Sequence, residues 1–443
     1  SARLSRLRVE ALDGQHGPEL ANRFFDVVTL QKAASSLLLE GLAAVLQAAV
    51  GALLLAFYHP ALLAFDAVAM GLVALALVPT GRGAVRTAVV ESKRKYAVAA
   101  WLEELAGRPL ALRGGQLADV RTDQLANAWL TAREDHFRVV FRQYVAMQAV
   151  AVLVPVLLLV LAGWLVLEGG LTLGQLVAAE FVVTASLAGI VKLSGKLETV
   201  YDLLAGVDKL GHLLDLPIDA PRGVALDREG PARVELDGVS VGAGGPDVLS
   251  GLTLQLEPGQ RRSIVGPAGS GKTLLGEVIV GARRPTAGAA ILDGVPMASI
   301  RPRVLGRQTL LLRGQAAFAG TLRDNLTLGN RVPDESLWLA LEAAGLAPIA
   351  RRLPDGLDSE LLPDGRPLGA GSQAALGVAR ALVCAPRLLV VDGLLDGLCP
   401  TDRARLAGLL LDPARPWTLV VLTALPEVAG LLPDPIALPG GVK

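Results

Sequence analysis

Cysteine is scarce in this chain, and neither sign of charge is in excess. The only two cysteines, Cys384 and Cys399, stand at neither metal-ligand nor disulfide spacing, which fits a reduced cytosolic face rather than a stapled secreted scaffold. The 42 Lys and Arg residues offset 42 Asp and Glu residues, so the chain carries no net charge at neutral pH. No nucleic-acid partner is therefore expected. No signal peptide is visible: the chain opens at Ser1 in a polar, helix-like stretch, as if partway through a longer protein.

What the chain has instead is aliphatic sequence. Its mean hydropathy of +0.48 points to membrane segments, and its 443 residues to at least two domains. Residues 33–58 and 61–79 are apolar runs around the tight turn His59-Pro60, and residues 145–167 and 171–193 form a second pair around Glu168-Gly169-Gly170. Each is long enough to cross about 30 Å of hydrocarbon as a helix. The segment between the pairs, Gly81–Gln143, is helical in pattern and rich in Lys and Arg, among them Arg82, Arg86, Lys93, Arg94, Lys95, Arg121 and Arg133. The two short turns hold no Lys or Arg, so the positive-inside rule puts Gly81–Gln143 in the cytoplasm. Flanking spans favour this over a basic helix pair that binds RNA. Glu40, Asp66, Glu180 and Lys192 interrupt the spans and are expected either to line a pathway or to pair helix to helix.

From Ala232 onward, short strands alternate with helices, which implies an α/β layer with a largely parallel sheet. Its centre is Ile264–Leu275, IVGPAGSGKTLL, with Gly266, Gly271, Lys272 and Thr273 at GxxxxGK[ST] spacing. Glycines let successive N–H groups curl around one phosphate chain, lysine meets the β- and γ-phosphates, and the threonine hydroxyl meets Mg²⁺. Gly266, Pro267, Ala268, Gly269, Ser270, Gly271, Lys272 and Thr273 are thus the candidate nucleotide-binding residues, with ATP and Mg²⁺ as cofactors. The buried run Arg387–Asp392 (RLLVVD) ends in an acid, a second candidate for the metal beside Thr273.

Membrane helices with long cytoplasmic extensions, a linker and then a P-loop domain resemble a half-transporter of the ABC exporter family. The fold class implied is multi-domain: a partial all-α transmembrane domain over 1–216, a linker over 217–231, and an α/β ATP-binding cassette over 232–443. Gly17–Lys32 is similar to the stretch leading from the first coupling helix into the third span. Glu103–Gly115 is similar to the second coupling helix, and Leu171–Glu180 to the start of the sixth span. On this resemblance the first two spans are missing and the cassette stops early, just after Pro435–Pro439.

The resemblance also exposes departures. Asp392 matches the acid that holds Mg²⁺ through water, but the next residue, a glutamate in the family that activates the attacking water, is Gly393. Ala424 stands at the switch histidine and Arg313 at the loop glutamine, with Gln315 close by. The LSGGQ signature aligns with Leu368, Gly369, Ala370, Gly371 and Ser372, fixed by the downstream Val378–Leu382. Ala243 replaces an aromatic that stacks on adenine, and Cys399 replaces the D-loop aspartate. A P-loop kinase or GTPase has no reason to place a signature-like segment before the acidic strand. The resemblance therefore implies a multi-pass subunit of the inner (plasma) membrane, cassette in the cytoplasm, that binds ATP but hydrolyses it poorly. Its partners would be the lipid bilayer and a second half-transporter, a heterodimer being favoured over a homodimer. The alternative is a membrane-anchored nucleotide sensor or scaffold without transport.

Overall fold

Leu, Val and Ala keep helices continuous when their apolar surface is covered. In the computed structural model of the chain, which describes residues 6–13, 17–107, 112, 115–219, 222–314 and 317–439, each apolar run lies in a long helix. These are α1 (Gly17–Tyr58), α2 (Pro60–Thr80), α3 (Ala84–Gly107), α4 (Gln116–Leu167), α5 (Leu173–Ser194) and α6 (Leu197–Asp215). His59 makes the first reversal: its Nδ1 accepts from the Ala61 N–H at 3.1 Å while Pro60 opens α2. Pro155 lies inside α4 without ending it. Among the described residues, four helical stretches are long and apolar enough to cross a membrane.

The spans pack through Leu55, Leu62, Met147, Val154, Leu158 and Ala179, all buried. Leu38, Leu39, Phe57, Val160 and Leu167 are exposed, the apolar surface that lipid covers in a spanning bundle. Glu40 on α1 pairs with Lys196 at 3.2 Å and Lys192 at 3.8 Å, so these two intramembrane charges link helix to helix. Near the basic segment, Tyr201 Oη donates to Gln143 at 2.9 Å, joining α6 to α4. Within the expected second coupling stretch, Arg108–Ala111, Arg113 and Gly114 lie outside the described residues.

The chain divides into two compact units, Gln15–Leu216 and a second that unites Ala2–Gly14 with Pro217–Lys443. The described N-terminal residues 6–13 group with the cassette. The strands are β1 (Val234–Gly242), β2 (Asp247–Leu256), β3 (Arg261–Val265), β4 (Ala287–Leu292), β5 (Thr309–Arg313), β6 (Leu388–Asp392), β7 (Thr418–Thr423) and β8 (Ile436–Ala437). An antiparallel sheet runs β2-β1-β4 with a two-residue edge, and a parallel sheet runs β8-β3-β7-β6-β5. The inner strands β6 and β7 are buried on both faces, which is why they read as unbroken apolar runs. The described residues of 217–231 lie in neither helix nor strand but are pinned: the Arg8 N–H donates to Pro217 O at 3.2 Å, and Val224 bridges to Ile300.

Candidate nucleotide site

Parallel strands deliver their C-terminal ends to one edge of the sheet, where open α/β folds hold ligands. β3 ends at Val265, the loop Gly266–Gly271 follows, and helix α7 (Lys272–Ile279) begins at once. Gly269 and Gly271 both sit at φ +82°, a conformation that favours glycine. A Cβ at Gly271 would also come within 2.8 Å of Leu249, so the loop closes tightly on β2. A Cβ at Gly269 would meet nothing within 4 Å, which marks the open side of the cradle. No side chain caps α7, so its first N–H groups and positive end are available to an anion. Lys272 Nζ donates to the carbonyls of Gly266 at 2.5 Å and Pro267 at 2.7 Å. These residues fit a nucleotide's phosphate chain.

β6 brings Asp392 beside the loop, and Thr273 Oγ1 donates to Asp392 Oδ2 at 2.9 Å. The two residues read as metal ligands thus meet. Arg313, last residue of β5 and in register with Asp392, meets them too. Its Nε donates to the same Asp392 Oδ2 at 2.9 Å, and its Nη2 to Glu277 Oε1 at 2.9 Å and Thr273 O at 3.2 Å. Behind it, Arg283 Nε donates to Glu277 Oε2 at 2.7 Å, and the Arg283 fork grips both oxygens of Asp13 at 2.6 and 2.8 Å. The Arg283 bonds hold the Asp13 carboxyl below the usual carboxylate range. Gln315 lies outside the described residues.

The remaining positions stand as follows. Gly393, at φ +63°, donates its N–H to Leu422 O at 2.9 Å. The Ala424 N–H donates to Asp396 Oδ2 at 2.9 Å, and Thr423 Oγ1 donates to the other oxygen of Asp396. Leu368 is buried, and Gly369 precedes helix Ala370–Cys384, which draws Ala370, Gly371 and Ser372 into its first turn. Ala243 is exposed in the turn after β1. Cys399 Sγ donates to Asp402 at 3.3 Å. Sequence reasoning missed Asp13, Glu277, Arg283 and Asp396. None belongs to a short motif, and Asp13 is 270 positions from its partner.

A family profile described as ABC transporter matches residues 249–394, which run from β2 past the P-loop to the strand carrying Asp392. The mycobactin import ATP-binding/permease protein IrtB of Mycolicibacterium thermoresistibile is 30% identical over 416 residues, 92% of this chain and 69% of that protein. The chain belongs to the ABC transporter family. A second relative, the ATP-dependent lipid A-core flippase of Chromobacterium violaceum, is 30% identical over 239 residues, 53% of this chain and 41% of that protein. The solved structure of a bacterial Atm1-family ABC exporter with ATP bound superposes with a TM-score of 0.85 at 20% identity, covering 99% of this chain and 78% of that one. The fold is therefore that of an exporter-type half-transporter, a helical membrane domain followed by an α/β cassette.

Proposed function

We propose that the chain is a membrane subunit of an ABC exporter-type transporter that binds ATP, turns it over poorly, and works beside a competent second half-transporter. The observation that carries this is an intact phosphate cradle next to two empty chemical roles. Lys272 can leave the Gly266 and Pro267 carbonyls to neutralise phosphate charge, and the start of α7 adds its N–H groups. Bound ATP would supply the free energy of closing two cassettes on each other. At Gly393 no carboxylate is present to take a proton from water, and at Ala424 no imidazole is present to meet a γ-phosphate. A general base is typically worth about 10²–10⁴ in rate.

The four apolar helices and the Lys and Arg asymmetry support a multi-pass protein of the inner membrane with the cassette in the cytoplasm. Gly393 and Ala424 also favour a second reading, a membrane-anchored nucleotide sensor that moves nothing. Flux across vesicles holding this chain and its partner separates the two. It is measured in both directions, because the IrtB relatives are named for import. ATP-driven flux abolished by Lys272→Ala supports transport; nucleotide binding with no flux in either direction supports the sensor.

A further inference from the structure

We propose that Arg313 is a built-in cation of the nucleotide site, so that this chain binds a nucleoside triphosphate without needing a divalent metal ion. The inference rests on the nucleotide-binding reading and names the form of ligand that the site takes. The threonine hydroxyl and the strand-end aspartate are the groups that P-loop proteins turn toward Mg²⁺. Here the aspartate has a further partner, a cation of the chain itself. Thr273 Oγ1 gives its proton to Asp392 Oδ2, and the same oxygen accepts from Arg313 Nε, each at 2.9 Å. A divalent ion held by the Thr273 oxygen and, through water, by Asp392 would compete with Arg313 for Asp392 Oδ2 and stand against a guanidinium of its own sign.

Arg313 is also held too firmly to be a stray surface side chain. Its Nη2 reaches Glu277 Oε1 at 2.9 Å and Thr273 O at 3.2 Å, so three acceptors on two elements fix the plane of the guanidinium. Glu277 cannot readily release it, because its other oxygen is bound by Arg283, which is buried and gripped by Asp13. The side chain is still 39% exposed, which leaves part of the cation accessible to a ligand.

The charges explain what this achieves. Lys272, Arg283 and Arg313 balance Asp13, Glu277 and Asp392, so the cluster is neutral with no metal present. Without Arg313 the carboxylate of Asp392 would face a phosphate chain uncompensated, and a divalent ion would be needed to screen the repulsion. With Arg313 in place, that need is met by the chain itself.

The test is titration of the purified full chain in detergent with ATP, in excess MgCl₂ and in excess EDTA. Wild type is expected to bind with affinities within about threefold of each other. Arg313→Gln is expected to weaken binding in EDTA by about tenfold or more, with MgCl₂ restoring it, and Arg313→Lys to keep most of the EDTA affinity. A wild-type loss of about tenfold or more in EDTA overturns the proposal, as does Arg313→Gln binding in EDTA like wild type. Because the first comparison uses wild type alone, poor folding of a variant cannot mask the result. No binding of ATP in either buffer overturns the nucleotide-binding reading itself.

Discussion

At Gly393 the proposed loss of the base and the backbone conformation are tied together. The residue follows Asp392 at φ +63°, where a side chain costs roughly 1–2 kcal/mol. A Cβ there meets nothing within 4 Å, so a glutamate has room but pays in backbone strain. Gly393→Glu is expected to lower stability slightly and to leave phosphate release by the isolated chain at background, since Ala424 still offers no imidazole. Gly393→Glu with Ala424→His is expected to raise release above either single variant; brisk hydrolysis by the unmodified chain, removed by Lys272→Ala, would refute the reading of an impaired site. Ala243, exposed in the turn after β1, gives a second test. Ala243→Tyr restores an aromatic surface worth on the order of 1 kcal/mol, and ATP affinity measured by titration should rise several-fold.

Among the elements, the short N-terminal segment has the consequence hardest to foresee. Val9–Leu12 forms a single 3₁₀ turn, and the Asp13 that follows it anchors Arg283 in the cassette core. Asp13→Asn removes a bidentate ion pair from a buried arginine and should cost about 2 kcal/mol, lowering the cassette's melting temperature by several degrees. The pH dependence follows from the sign of the shift. Asp13 has its carboxyl lowered in the folded chain, so its stabilisation is complete above the unfolded value of about 3.9 and is lost as pH falls through the lower folded value. The gap in melting temperature between wild type and Asp13→Asn should therefore be constant near neutral pH and close only below about pH 4. This contact also marks where sequence stops being legible. The P-loop, the acid-ending strand and the spans are local patterns, legible without the fold, whereas the strand Thr309–Arg313 that carries Arg313 was not read from the sequence. The ion pairs from Asp13 through Arg283, Glu277 and Arg313 to Asp392 join residues that only the sheet topology brings together. The start of the helix at Ala370 is less legible for a smaller reason: its N-cap, Gly369, has no side chain to make a capping hydrogen bond.

For the whole molecule, the charge pattern and the degenerate site lead to linked expectations. Cysteine introduced at Glu168 should react with an impermeant reagent from outside intact cells, and cysteine at Arg121 should not; labelling at Arg121 would overturn the topology. The pairing argument goes further. ABC cassettes close head to tail, each site using one chain's phosphate loop and the other's signature. In a homodimer both sites would join Gly393 and Ala424 to a degraded signature, and neither should turn over. With a competent partner the two sites differ. On the proposed reading, the one built on Lys272 would lack its base and hold ATP; the other would take its base and histidine from the partner and need only Leu368–Ser372 from this chain. If Gly369 stands at the signature serine, the lost hydroxyl takes with it a hydrogen bond to a charged group worth about 1.5–3 kcal/mol. The helix starting at Ala370 still offers its first N–H groups, so that site should be slowed rather than silenced. In co-expressed subunits, glutamate-to-glutamine at the partner's base should stop flux, while Gly393→Glu here should change it little. Flux by this chain as a homodimer, driven by ATP and indifferent to any partner, would show that the hydrolysis does not come from a second subunit.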